Sequence, residues 1–181
     1  MMPIGPLMIE HRLIERMVGL LGREADRIAE DERVDAVFID QAVDFIRTYA
    51  DRTHHGKEED ILFRDLDDED LSSKDRDRME ELVREHVLAR KTVGELVEAK
   101  ESYLEGETEA LDTLLQKLDV LVEMYPEHIR KEDKVFFPAS MEYLDQAEQD
   151  AMLEEMWEFD RQMIHEKYES VVEALESETE Q

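Results

Sequence analysis

Six histidines, at positions 11, 54, 55, 86, 128 and 165, are the side chains of this sequence best placed to do chemistry, because carboxylates accompany them at recurring intervals. His55-x-x-x-Glu59 and His128-x-x-x-Glu132 repeat one spacing 73 residues apart, and His54-x-x-x-Glu58 and His11-x-x-x-Glu15 share it. Residues four apart on a helix lie one turn apart and about 40° apart in rotation, so each such pair can reach a common metal region. The chain has no cysteine, which removes disulfides, thiolate chemistry and thiolate-held zinc or iron–sulfur sites together. Any metal must therefore be held by imidazole and carboxylate, a donor set suited to iron or manganese and compatible with zinc.

The elements that position these residues are helices. Apolar residues recur at three- and four-residue intervals and no strand-like alternation is sustained. Five helices are expected. The first spans about 7–30, with His11 inside the stripe Leu7, Ile14, Val18, Leu21, Ala25, Ile28. The second spans about 34–66. The third starts at the caps Ser72 and Ser73 and ends at Gly106, with His86 in its stripe between Leu82 and Ala89. The fourth covers about 108–137, is expected to kink at Pro126 and ends at Pro138. The fifth, about 146–176, carries Leu153, Trp157, Ile164, Tyr168, Val171 and Leu175. Long helices with short connections predict one domain over 1–181. It is an all-α, antiparallel up-down four-helix bundle at about 7–138, with an additional C-terminal helix. Glu10-His11-x-Leu13 also recurs as Glu85-His86-x-Leu88, 75 residues on, so the bundle reads as a doubled helix pair that brings its histidines together.

Register then selects among the pairs. Continuing the second-helix line Phe38, Ala42, Phe45, Tyr49 puts Glu59 inward with His55 beside it, and turns His54 and Glu58 toward solvent. On the fourth helix Glu132 is on the apolar line and His128 adjoins it. Two buried carboxylates without partners cost several kcal/mol. Two divalent cations bridged by Glu59 and Glu132, with imidazoles from His11, His55, His86 and His128, satisfy every group. Glu15 stays open as an extra ligand, and His165, at the edge of the fifth-helix stripe, is expected to border or support the site, with direct ligation as the alternative. Tyr49 and Tyr125 lie on the bundle stripe, where packing with a locally satisfied hydroxyl is expected and a hydrogen bond to a bound oxygen species is the alternative. Phe63, Phe136 and Phe137 are expected to seal one end.

Fifty acidic residues against 22 basic ones give a formal charge of −28. With basic residues scattered singly, this argues against nucleic acid and anionic membranes as partners. No apolar run approaches the ~18 residues of a membrane span, and the first residues lack a basic leader, so a cytoplasmic location is expected. The absence of Glu-x-x-His disfavours the ferritin-like di-iron pattern.

Glu10-His11, His54-His55-x-x-Glu58-Glu59, Glu85-His86 and Glu127-His128-x-x-x-Glu132 resemble the hemerythrin-like HHE cation-binding domain over about residues 7–138. The resemblance implies a four-helix bundle holding a non-haem di-iron centre, with His11, His55, His86 and His128 as ligands and Glu59 and Glu132 as bridges. Members of that family bind dioxygen, sense oxygen, iron or nitric oxide, or decompose peroxide. The oxygen carriers have His-x-x-x-His on the third helix and His-x-x-x-x-Asp on the fourth. Here Arg90 follows His86 by four residues, and on the fourth helix His128 has Glu132 four residues on, directly ahead of Asp133. These departures turn the expectation from oxygen carriage toward binding or sensing a small diatomic or peroxide ligand. A peroxide-decomposing enzyme and a metal-free acidic interaction module are the alternatives.

Overall fold

Helix ends fall where local chemistry can satisfy the free backbone groups. In the computed structural model, which describes the backbone of residues 1–179, α1 runs Ile4–Asp31 and closes on Glu32 in a left-handed conformation, φ 51°. It starts a few residues before the expected position, because Pro6 occupies the first turn, where a missing N–H costs nothing. Asp35 caps α2, residues 36–67, by accepting from the Phe38 N–H. Ser72 caps α3, Ser73–Leu104, by accepting from the Asp75 N–H, and Gly106, at φ +103°, follows its end.

The second and fourth rods are not uniform α-helices. α2, 36–67, begins as α-helix at Ala36–Phe45, widens to π-helix at Ile46–His55 and again at Glu58–Phe63, and closes with Arg64–Asp67. α4, 110–140, contains Ala110–Lys131, continues through Pro126, widens at Glu132–Phe136 and ends at Phe137–Ser140. π-turns inside helices concentrate at functional sites. Here they carry His54, His55, Glu58 and Glu132.

The described residues form an all-helical bundle with α4 packed against α1 and α3, plus the C-terminal helix α5, Gln146–Thr179. Two apolar clusters fill it. One holds Ile14, Val18, Leu21, Ala50, Val93, Leu118 and their neighbours. The other holds Leu7, Leu62, Phe63, Leu82, Phe136, Phe137 and Met156. His11, His54, His55 and His86 fall between the two along the chain and His128 lies at the end of the first, so the polar site is a layer within an apolar core.

α5 lies against the π-turns of α2. Met152, Leu153 and Met156 are buried, whereas Trp157 and Ile164 are exposed, so the burying face is turned from the expected one. The side chains of His165, Tyr168, Val171 and Leu175 lie outside the described residues. Arg64 binds Glu155 through both terminal nitrogens, at 2.7 and 2.9 Å. Gly56 lets α5 approach: a Cβ there would sit 2.8 Å from the Phe159 ring. Alanine normally stabilises a helix interior relative to glycine by about 0.5–1 kcal/mol. At this position Gly56→Ala is expected to destabilise by about 1–3 kcal/mol through overpacking. In a Phe159→Ala background the same change should become neutral or stabilising, as measured by chemical denaturation of the four proteins of the cycle.

Candidate metal centre

The buried line of α2 runs Ile46, Ala50, His54, Glu58, Leu62, Leu66, a sustained interval of four. An α-helix would drift by about 40° at each such step, whereas the wider π-turns hold the line on one face. This corrects the register expected from the sequence. Glu58 is fully buried and His54 only 1% exposed, while Glu59 lies at the rim with its side chain 27% exposed. His55 stays buried because the wide turn admits two adjacent imidazoles. His11, His86, His128 and Glu132 face inward as expected. Glu15 is exposed on the far side of α1 and pairs with Arg12 at 3.0 Å.

These side chains form two groups. In the first, His11 Nε2 and His54 Nε2 are 2.9 Å apart, with Glu132 Oε2 3.1 Å from His11 and Glu58 Oε1 3.3 Å from His54. In the second, His86 Nε2 and His128 Nε2 are 3.2 Å apart, with Glu58 Oε2 3.4 Å from His86 and Glu132 Oε1 3.2 Å from His128. His55 joins the second group, its ring stacked on that of His86 at 3.8 Å. Glu58 and Glu132 thus each give one oxygen to either group. All four oxygens are buried and receive no hydrogen bond from the described residues.

The outer nitrogens explain why this cluster needs a cation. His11 Nδ1 donates to Asp133 at 2.7 Å, His54 Nδ1 to Glu10 at 2.8 Å, His86 Nδ1 to Glu59 at 2.6 Å and His128 Nδ1 to Glu85 at 2.8 Å. A carboxylate can only accept, so each Nδ1 carries the proton and a neutral ring presents a lone pair at Nε2. Lone pairs would then face lone pairs and bare carboxylate oxygens. Two donors about 2.1 Å from one cation lie roughly 3 Å apart, which matches both nitrogen pairs. Each outer carboxylate is in turn held by a cation: Arg12 on Asp133, Lys57 on Glu10, Arg90 on Glu59 and Lys131 on Glu85. Such carboxylate–imidazole pairs fix ring orientation and raise ligand basicity.

Glu59, expected at the centre of the face, and Asp133, which periodicity does not single out, therefore lie in the outer ring as partners of His86 and His11. Phe137 stacks on His11 at 5.7 Å and Phe63 on His86 at 6.1 Å, closing the apolar end. Tyr49 instead stacks on Phe45 away from the groups. Tyr125 is buried beside His55, and its hydroxyl has no hydrogen-bond partner among the described residues, contrary to the local satisfaction expected for it. Burial raises its pKa and keeps the phenol protonated.

Electrostatics without a cation show the same imbalance. Burial works against charge on His54 and His128, yet Glu58 and Glu132 beside them outweigh it and push both pKa values up to about 10. Glu132 is held well below the usual carboxylate range; burial opposes this, and His128 and His11 overcome it. His55 goes the other way, well below the usual histidine range, through burial and the neighbouring imidazoles. A histidine whose pKa rises from 6.5 unfolded to about 10 folded gives stability that is fully present below pH 6.5 and lost as pH climbs toward 10. The chelator-treated protein is therefore expected to melt at progressively lower temperature from pH 6.5 to pH 10. A flat profile in a thermal denaturation series would refute that reading of His54 and His128.

No described helix is long and apolar enough to cross a membrane. An uncharacterised protein of Mycobacterium tuberculosis and another of Mycobacterium bovis are each 26% identical to this chain over 148 residues, covering 78% of the chain and 57% of the relative. The chain thus spans little more than half the length of the curated relatives it matches. Residues 2–140, which include both donor groups and every outer carboxylate, match the family described as Hemerythrin HHE cation binding domain. With its helical bundle and paired imidazole–carboxylate groups, the chain belongs to the hemerythrin HHE cation-binding family.

Proposed function

We propose that the protein is a non-haem di-iron protein that binds or senses dioxygen or a related small ligand, nitric oxide or peroxide. The observation that carries the reading is that Glu58 and Glu132 each divide two undonated oxygens between the two imidazole groups, an arrangement that would let both hold a pair of cations. His11 and His54 would hold one cation and His55, His86 and His128 the other, with the two carboxylates shared. The corrected register replaces Glu59 by Glu58 as the bridge and adds His54. Manganese and zinc suit the donors too, and iron is preferred on the family membership and the nitrogen–oxygen donor set.

Bound iron would supply one-electron chemistry toward a small ligand. The protein's own groups do the rest. Asp133, Glu10, Glu59 and Glu85 hold the Nδ1 protons and keep each Nε2 lone pair aimed inward. Phe63 and Phe137 exclude water from one side and lower the local dielectric. Five imidazoles in place of an acid-rich shell leave the two groups unlike each other, three against two, so a ligand would meet two chemically distinct positions.

Anaerobic iron loading followed by metal analysis tests this directly. The wild-type chain is expected to take up one iron per donor group and to melt at higher temperature when loaded, because a ligand bound only to the folded state stabilises it. Glu58→Ala should abolish stable loading at both groups. Glu59→Ala should leave both loaded with affinity lowered roughly 10–100-fold, the usual cost of losing a residue that orients a ligand. Well under one iron per wild-type chain, or equal losses in the two variants, would sink the assignment. Oxygen release from added peroxide by the loaded protein would move the reading from binding toward catalysis.

A further inference from the structure

The phenol of Tyr125 is a buried donor with no acceptor among the described residues, and it lines a cavity. That cavity, about 90 Å³, is bounded by Tyr125 and His55 at its inner end and by Asp51, Arg47 and Arg90 toward solvent, with Ile46, Ala89 and Val93 as apolar walls. Its volume admits a ligand of two or three heavy atoms with little room to spare for water. The His55 ring separates it from the second donor group: one face of His55 stacks on His86, and Tyr125 lies nearly parallel to the same ring at 6.4 Å, interplanar angle 13°.

The polar groups on its wall define the occupant. A protonated phenol with no acceptor calls for a ligand that accepts a hydrogen bond, since leaving such a group buried and unpaired costs about 1–3 kcal/mol. Arg90 is committed: its Nε donates to Asp51 at 2.7 Å and its Nη2 to Glu59 at 2.7 Å. Asp51 is thereby neutralised. Arg47, exposed at the rim, has no ion-pair partner among the described residues, so beside Arg90, which is shared between Asp51 and Glu59, it brings an uncommitted positive charge to the opening in a chain whose total is −28. Anions are excluded from most of this surface by its field, and this opening is a place where one is favoured.

We propose that this cavity is a binding site for a small anion of two or three heavy atoms, with Tyr125 Oη donating its hydrogen bond and Arg47 drawing the anion to the opening. It would deliver such a ligand to the His55 side of the second donor group, on the face opposite the Phe63 and Phe137 seal. That delivery rests on the di-iron reading above, whereas occupancy of the cavity does not. Tyr125 is here a positioning residue that sets affinity and orientation for the anion.

Sodium azide is a fitting probe, being linear, triatomic, anionic and visible by its infrared stretch. The 181-residue chain as purified is titrated with azide, and metal content and helicity are measured on each sample. The wild type is expected to show a saturable bound-azide band displaced from that of free azide. Tyr125→Phe, which keeps the ring and removes the donor, should weaken azide at least tenfold and shift the remaining band, with metal content unchanged. Arg47→Gln, at an exposed position, should weaken azide severalfold and leave the band position as in the wild type, and it carries the test alone if Tyr125→Phe loses helicity. Equal azide affinity in the wild type and in the folded variants, or no bound band in the wild type, overturns the proposal. Tyr125-dependent azide binding in a chain that takes up no iron would uphold the cavity site and bring down the di-iron reading, so the two fail separately.

Discussion

Two carboxyl groups, those of Glu58 and Glu132, are buried at the centre of the bundle with no hydrogen bond from the described residues to any of their four oxygens, and most of the surrounding structure compensates for that burden. A lone buried carboxylate costs several kcal/mol, and two close together repel as well. Imidazoles surround them on both sides. Each of four imidazoles is held by an outer carboxylate, and each outer carboxylate by an arginine or lysine, so charge alternates in rings outward to solvent. The innermost ring still lacks positive charge unless protons or metal cations enter it. Protons on His54 and His128 are the metal-free solution, and membership of a cation-binding family identifies the other.

Placing five imidazoles and two carboxylates in one layer makes demands on the helices that carry them. A regular α-helix turns each successive four-residue step off its face, so it cannot offer His54, Glu58 and the apolar Ala50 and Leu62 on one line for long. The π-turns at Ile46–His55, Glu58–Phe63 and Glu132–Phe136 remove that drift and coincide with the donors. Widened turns have poorer backbone packing. They persist here between two apolar clusters, whose burial holds the backbone in place above and below the polar layer.

This also explains what the sequence disclosed and what it concealed. The helices, the N-cap at Ser72, the stop at Gly106 and the inward His11, His86, His128 and Glu132 follow from α-helical periodicity, because their helices are regular up to those residues. Glu59 was preferred over Glu58 because aromatic Phe38, Phe45 and Tyr49, which sit half-buried at the margin, looked like the centre of the face. The residues actually buried, Ile46, Ala50, Leu62 and Leu66, keep an interval of four through His54 and Glu58. That interval is in the sequence, and read as a π-turn signature it points to His54 and Glu58, the pair that is buried. The outer carboxylates were harder to see, since Glu10, Glu85 and Asp133 are three of fifty acids and only tertiary geometry distinguishes them.

The last helix is joined to the same electrostatic order. Lys57 is completely buried, and a buried ammonium is retained only where it is paired on more than one side. Its partners are Glu10, which orients His54, and Asp160 of α5, 2.7 Å away. Without α5, Lys57 would lose one of its two carboxylates and the cover that keeps water from it, and its hold on Glu10 would be screened. The family match ends at residue 140, yet the charge that fixes one donor in the first group runs through a helix beyond that boundary. Gly56, between His55 and Lys57, is what lets that helix come close enough for the contact. The C-terminal helix is thus part of the positioning of His54 rather than an appendage to a finished bundle.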